Sequence, residues 1–240
     1  MSFMGKLINV EELPLFFKLS QLKLRKNKSM RSVRYSVHEL LKQKKIAKIG
    51  NEYYTKTSNP FFVATQVYKG YIGFSSALYI LGLKNETEAN VYVCTSSKNK
   101  TMNFLDKQLV PVNMSRYFYG TTILVYGDLE VLTSTLPKTI FDMFYKIRYL
   151  DVQNVYRALA QRNLTRKEWV ELMSFAAVAS ISVARRIGYS LEQFAPADIL
   201  DKLKRLSDNV TGPSFYYEHR YENYNKKWRI FDTLNIKRWR

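Results

Sequence analysis

Residues 30–56, MRSVRYSVHELLKQKKIAKIGNEYYTK, constrain the fold of this chain more than any other stretch. Apolar residues recur there at the spacing of one helical face: Val33, Val37, Leu40 and Leu41. This spacing predicts an amphipathic helix over residues 32–43, with its apolar face buried. Ser32 stands where a hydroxyl can cap the helix start.

A hairpin is predicted directly after this helix. Residues 46–49 and 52–56 are short runs that favour strands, and Gly50 and Asn51 between them are typical of a two-residue hairpin loop. Lysines flank the loop on both sides. A basic helix followed at once by a basic hairpin is therefore expected.

The face of the helix opposite its apolar residues is basic and hydrogen-bonding, with Arg31, Arg34, Tyr35, His38 and Lys42. Such a face suits the major groove of DNA, where arginine pairs with guanine edges and the other side chains contact bases or phosphates. Ser32 is then expected near a phosphate, and Lys48, Asn51 and Lys56 of the hairpin on the DNA backbone. The alternatives are a solvated polar face and a surface that contacts protein.

A shorter helix is predicted upstream. Pro14 fits the first turn of a helix, and Leu15, Leu19 and Leu22 then form one apolar stripe. Helix, basic helix and hairpin within about 50 residues is the order of a winged helix-turn-helix. We assign residues 1–58 to this DNA-binding domain, with a boundary at Thr57-Ser-Asn-Pro60.

Charge supports a polyanionic partner. Lys and Arg number 38 against 20 Asp and Glu, a net charge of +18, and residues 1–58 hold thirteen of the cations and only four acids. Such a field attracts nucleic acid or an anionic membrane surface.

The longest apolar run, residues 174–184, is shorter than the roughly 20 residues of a membrane-spanning helix, and the chain opens without a signal-peptide pattern. We therefore expect a cytoplasmic protein without a membrane partner; the single cysteine, Cys94, is expected to be buried in a strand.

Residues 59–240 are predicted to form a mixed α/β domain whose C-terminal part is mainly helical, which makes the whole chain α+β. The strand-favouring runs lie between residues 90 and 135, and the run at residues 122–126 is apolar on both faces, as in a sheet covered by helices. Helical patterns cover residues 75–83, 137–148, 151–162 and 165–187. Ser75 is the expected cap of the first, and Thr165 with Glu168 forms a capping-box pattern at the last.

Catalytic motifs are sparse. Asp128, Glu130 and Lys138 weakly resemble the residues of a nuclease metal site, but the usual spacing of acid and lysine is absent. Only two histidines occur, His38 and His219, and neither belongs to a Cys/His cluster of the kind that binds zinc. No cofactor, metal or enzymatic activity is expected.

Five segments resemble the AbiEi family of antitoxins and transcriptional regulators, in that family's order. They are YIGFSSALYILGL (71–83), VYVCTSSK (91–98), LEVLTSTLPKTIFDMFY (129–145), RRIGYSLE (185–192) and KKWRIFDTLN (226–235). Lys138 and Asp142 match the Lys and Asp of the family's Pro-Glu-Lys-Ala-Leu-x-Asp helix start, whereas Leu136 and Pro137 replace its Pro and Glu.

The resemblance implies a repressor from a two-gene abortive-infection system. Such proteins bind inverted repeats upstream of their own operon as double-stranded DNA, and their C-terminal domain opposes a toxin of nucleotidyltransferase type. A monomer or a weak dimer on the DNA is expected. A solitary regulator that keeps only DNA binding is the alternative that the changes at Leu136 and Pro137 leave open.

The stretch 215–240 mixes basic and aromatic residues, a composition that suits either single-stranded nucleic acid or a closing strand. For Trp228 and Phe231 we favour inward packing, and for Lys237, Arg238 and Arg240 a frayed basic end. We rank three functions, with the favoured one first: a sequence-specific repressor and antitoxin, a nonspecific or architectural nucleic-acid binder, and a nuclease or nucleotide-transfer enzyme.

Overall fold

The computed structural model describes residues 8–26, 29–208, 214–215 and 223–236. Its first elements form an N-terminal unit: β1 Phe16–Lys18, α1 Leu19–Lys26, α2 Met30–Lys42, β2 Ala47–Ile49 and β3 Tyr53–Thr55. The strands make an antiparallel sheet in the order β1-β3-β2. A 3₁₀ turn, Val10–Glu12, precedes them.

The predicted helix start at Pro14 is wrong. Residues 16–18 are extended because they pair with β3, where Phe16 stacks on Tyr53 and Phe17 on Tyr54 at ring-centroid distances of 5.3 and 5.6 Å. Helix α1 begins only at Leu19. Long-range pairing with a strand almost 40 residues away overrides the local helical pattern.

The remaining strands and helices start at Pro60. In chain order they are α3 Pro60–Tyr68, β4 Tyr71–Ile72, α4 Phe74–Ile80, β5 Asn90–Thr95, β6 Met102–Phe104, β7 Lys107–Asn113, β8 Thr121–Tyr126, β9 Leu129–Ser134, α5 Leu136–Tyr145, α6 Val152–Gln161, α7 Arg166–Ala177, α8 Ile181–Leu191, α9 Ala197–Asp208, β10 Ser214–Phe215, β11 Tyr224–Asn225 and β12 Ile230–Phe231. The mixed α+β class is confirmed. The predicted boundary after residue 58 falls between β3 and α3, where the Asn59 side chain caps α3.

A six-stranded sheet in the order β6-β7-β5-β4-β9-β8 organises this larger part of the described chain. The pairs β5–β7 and β4–β9 are parallel and the others antiparallel. Consecutive strand residues face opposite sides: Ile72 and Val93 pack with α3, whereas Tyr71 and Cys94 pack with α5. The sheet is thus covered by α3 on one face and by α5 on the other. The expected burial of Cys94 is confirmed.

One strand departs from the expected coverage. β8, which holds the run that is apolar on both faces, is an edge strand, and the side chains of Ile123 and Val125 are 60% and 71% exposed. Sequence apolarity alone does not distinguish an edge from a central strand. The prediction that helices cover this run is therefore wrong.

Two helix predictions are corrected. The single helix expected over residues 165–187 is two helices, α7 and α8, because the backbone is extended at Ser180, whose carbonyl oxygen accepts from Val183 and Ala184. The capping box predicted at the start of α7 is confirmed. The Thr165 side chain accepts from the Glu168 amide, and the Glu168 side chain accepts from the Thr165 amide. Ser75 is not the cap of α4, since the N-cap is Gly73, which lacks a side chain.

Residues 223–236, the closing segment, pack on α8. The Tyr189 hydroxyl donates to Asp232 Oδ2 at 2.7 Å, and Trp228 is fully buried against Gly188. The inward packing predicted for Trp228 is confirmed, whereas Phe231 is only half-buried. His219 and the predicted basic end at residues 237–240 lie outside the described residues.

Candidate nucleic-acid interface

Helix α2 is defined by signals at both ends. Ser29, rather than the predicted Ser32, is its N-cap, because the Ser29 hydroxyl accepts from the Ser32 amide at 3.3 Å. At the C-terminus, Lys44 adopts a left-handed conformation with φ 54°, and its amide and that of Lys45 donate to Leu41 and Leu40. This is the paired hydrogen-bond pattern that ends helices in a Schellman motif.

The two faces of α2 differ as the sequence predicts. Val33, Val37 and Leu40 are buried in a cluster with Phe17, Leu22 and Tyr54. The opposite face is exposed at Arg31, Arg34, Tyr35, His38 and Lys42, while Ser32 is half-buried in the first turn. The structure therefore places five of the predicted contact side chains together on one solvent-facing surface, which we call the α2 face.

Most cations of the α2 face are free for an external ligand. Within the described residues, neither Arg31 nor Arg34 forms an ion pair, whereas Lys42 lies 3.4 Å from Glu39 on the same helix. Exposed pairs of this kind contribute little free energy, so Lys42 remains exchangeable. Tyr35 is 57% exposed beside these cations.

The hairpin differs from its prediction in the loop. Ile49 pairs with Tyr53, so the loop has three residues, Gly50 to Glu52, and Gly50 takes a positive φ of 55°. The error concerns loop length, which the Gly-Asn pair does not fix by itself. Lys48 and Asn51 are exposed on this hairpin.

Lys56 lies apart from the loop. It follows β3 and is half-buried, and its Nζ donates to the Val10 carbonyl oxygen at 3.3 Å. A different lysine approaches the loop instead, because Lys18 Nζ lies 2.8 Å from the Glu52 carboxylate and 4.5 Å from the Tyr53 ring centroid. Lys56 is therefore engaged inside the N-terminal unit.

A second basic loop, missed by the sequence reasoning, borders the hairpin. A Cβ added at Gly50 would lie 3.4 Å from Met102 Sδ, so the hairpin loop packs against the start of β6. The residues before Met102 are exposed and include Lys98 and Lys100. The contact places the end of this loop, at Met102, beside the hairpin, and nothing in the local sequence indicates it.

A polar cluster is enclosed between the six-stranded sheet and α5. Lys138 and Asp142 form an ion pair one turn apart on α5 and both are fully buried. Lys138 Nζ donates to the Tyr71 hydroxyl at 2.8 Å, that hydroxyl donates to Asp142 Oδ2 at 2.9 Å, and the Cys94 Sγ lies 3.8 Å from the same oxygen. We call these four side chains the buried cluster.

Burial controls the protonation of this cluster. It raises the pKa of Asp142 to about 6, opposed by the Lys138 charge and by the hydrogen bonds from Lys138 and Tyr71. Burial also raises the pKa of Tyr71 and of Cys94 far above their usual ranges. All four side chains are fully buried, so in this structure they contact one another rather than solvent.

Stability should depend on pH through Asp142. Its folded-state pKa of about 6 exceeds the ordinary value of 3.8, so the folded state holds the proton more tightly and loses that advantage as pH rises. Relative to an Asp142→Asn variant, the free energy of unfolding of the wild-type protein should fall by up to about 3 kcal/mol between about pH 4 and about pH 7. Urea unfolding across this range measures it, and parallel pH profiles for the two proteins would refute it.

The nuclease-like trio is not assembled. Asp128 and Glu130 are exposed around the β8–β9 turn, whereas Lys138 is buried and paired with Asp142. Among the described residues, no group of three or more His, Cys, Asp and Glu side chains is placed to hold a metal ion. The same part of the chain contains no helix long and apolar enough to cross a membrane.

Comparison with known proteins shows the fold. No model of a known protein family matches the chain, and no curated protein matches it. A crystal structure of the RV2827C protein from Mycobacterium tuberculosis is similar, with a TM-score of 0.65 over 92% of this chain and 87% of that one, at 10% sequence identity. At such identity the likeness extends to the α+β fold across nearly the whole chain and to nothing further.

Proposed function

We propose that this protein is a sequence-specific, double-stranded DNA-binding repressor whose N-terminal unit acts as a winged helix-turn-helix. The observation that carries the proposal is the α2 face, which presents Arg31, Arg34, Tyr35 and His38 to solvent on a helix whose other face is buried. A rigid helix with exposed arginines matches the width and the hydrogen-bonding edges of the major groove.

The surroundings of α2 support the same function. The strand order β1-β3-β2, with α1 and α2 between β1 and β2, holds the helix beside a hairpin that exposes Lys48 and Asn51. Lys98 and Lys100 lie in the loop that leads to the hairpin contact at Met102. We propose that α2 contacts bases while these cations contact phosphates on either side.

The antitoxin role is a second part of the proposal and comes from the resemblance to AbiEi proteins. Three residues of the AbiEi-like segments lie in the interior of the protein. Lys138 and Asp142 belong to the buried cluster, and Trp228 belongs to the closing segment. They support a common architecture with that family. We propose autoregulation through an inverted repeat upstream of the protein's own operon, with the protein as a monomer or weak dimer on DNA and a nucleotidyltransferase-type toxin as partner.

A nonspecific nucleic-acid binder is the second candidate. A net charge of +18 on 240 residues attracts any polyanion, independent of sequence. The two candidates differ in what the α2 face does, because only base contacts discriminate between DNA sequences.

Arg34→Ala tests the α2 face. The variant should lose about 1–3 kcal/mol of affinity for the upstream DNA, as expected when a base contact is removed, and retain its affinity for scrambled DNA within a small factor. Fluorescence anisotropy with both duplexes measures the two affinities. Arg157→Ala, which removes an exposed arginine from α6, is the matched control. Equal losses in the two variants, or no loss for Arg34→Ala, would show that Arg34 does not contact bases.

A further inference from the structure

A cavity of 190 Å³ lies between α4, the β6–β7 turn and the end of β8. One wall is aromatic: the Phe61 ring stacks on Tyr79 at 5.8 Å between centroids and meets Tyr126 edge-on at 5.1 Å. The hydroxyls of Tyr79 and Tyr126 are 3.1 Å apart and share a hydrogen bond. Because the three rings hold one another, this wall is preformed.

The charged residues of the lining are mainly acidic, opposite in sign to the chain as a whole. Glu86, Glu88 and Asp106 line the cavity together with a single cation, Lys107. The Lys107 ammonium is already engaged, donating to the Glu88 carbonyl oxygen at 3.1 Å and lying 3.6 Å from the Asp106 carboxylate. On a protein of net charge +18, this cavity is a local negative site.

The carboxylates differ in their availability. Glu88 is occupied by its ion pair with Lys84 and by the hydroxyl of Ser75, which donates at 2.9 Å. Glu86 is exposed and forms no ion pair within the part of the chain that the structure describes. Asp106 is highly exposed and its contact with Lys107 is long, at 3.6 Å, so this contact is weak. Glu86 and Asp106 are therefore the carboxylates with capacity for a ligand.

We propose that this cavity binds a small organic cation of the guanidinium or alkylammonium class. Aromatic faces attract such cations through their quadrupoles, and carboxylates at the rim provide the countercharge. An anionic ligand would meet the carboxylates of Glu86 and Asp106, and the apolar wall supplies no ligands for a bare metal ion. The alkyl part of the cation lies against the rings, and its charged head lies between Glu86 and Asp106.

The site also touches the connection between the N-terminal unit and the sheet. Ser58 and Pro60 line the cavity, and the Asn59 side chain donates to the Tyr126 carbonyl oxygen at 3.1 Å. An occupant therefore contacts the segment from which α3 and the N-terminal unit extend. The proposal is independent of the DNA-binding function, since it depends only on the lining of the cavity.

Calorimetric titration with butylguanidinium and with butylurea tests the proposal on the full chain. The two probes have nearly the same shape and differ in charge, so the cation should bind saturably and the urea at least tenfold more weakly, roughly the effect of losing one charge-assisted contact. The double variant Glu86→Gln/Asp106→Asn should weaken butylguanidinium binding roughly tenfold, with an unchanged far-ultraviolet circular dichroism spectrum.

A matched control separates the site from general charge. The double variant Glu130→Gln/Asp201→Asn removes two exposed carboxylates that do not line the cavity, and its affinity for butylguanidinium should equal that of the wild type. Equal affinity for both probes, equal weakening in the two double variants, or the absence of saturable binding by the folded wild type would each overturn the proposal.

Discussion

Replacement of Asp142 by alanine is expected to lower the free energy of unfolding by about 3–5 kcal/mol, the range for breaking a buried ion pair by removal of one partner. The physical reason is the ammonium that stays behind. Lys138 is fully buried, and without Asp142 its remaining described hydrogen-bond partner is the Tyr71 hydroxyl. Alanine also removes the carboxyl oxygens, which even a protonated Asp142 keeps as acceptors for Lys138, so the buried ammonium loses a hydrogen bond as well as its counterion.

The double variant Lys138→Met/Asp142→Leu separates this explanation from simple loss of packing. It removes both charges while keeping side chains of similar size, so it should recover most of the stability lost by Asp142→Ala. Urea unfolding at constant pH gives both values. If the double variant is as unstable as the single one, the cost lies in the shape of the site rather than in the orphaned charge.

Replacement of Gly188 by alanine is the second change with a large expected effect, a loss of about 3 kcal/mol. Gly188 lies within α8, and a Cβ there would be 2.7 Å from Trp228 Cε3 and still closer to two other ring atoms. The Trp228 ring has little freedom to move, because it is fully buried and its Nε1 donates to Glu192 at 3.4 Å. The methyl group should therefore push the closing segment away from α8.

Thermal unfolding and a double-mutant cycle measure this effect. Trp228→Leu alone should destabilise by leaving a cavity, but combined with Gly188→Ala it should cost less than the sum of the two changes, because the smaller side chain makes room for the methyl group. Strict additivity would mean that the two residues do not interact, and would contradict the packing described for the closing segment.

Much of the fold was predictable where local pattern and tertiary structure agree. The apolar stripe of α2, the capping box at Thr165 and the burial of Cys94 each follow from signals within a few residues. The strand at Phe16–Lys18 was missed because it depends on a distant partner. The break at Ser180 was missed because the Ala- and Ser-rich stretch was interpreted as one continuous helix, although serine also favours the N-cap position that Ser180 occupies. A three-residue strand has no periodicity of its own.

The candidate interface shows the same division. Composition and helical spacing placed Arg31, Arg34, Tyr35, His38 and Lys42 on one exposed face. They did not reveal that Lys56 is engaged with Val10, because that contact joins residues far apart in the sequence. Nor did they reveal the loop of Lys98 and Lys100, whose position follows from the packing of Met102 on the hairpin. The sequence shows how many charged residues the chain has. The tertiary structure decides which of them lie on the same surface.

The most direct test of sequence-specific DNA binding is the affinity of the full-length protein for the DNA upstream of its own gene against a scrambled duplex, over a series of salt concentrations. A repressor that contacts bases through α2 should prefer the upstream DNA by about 10³-fold or more, and the preference should persist as salt weakens both affinities. Equal affinities that fall together with salt would contradict sequence-specific recognition and leave a nonspecific basic surface.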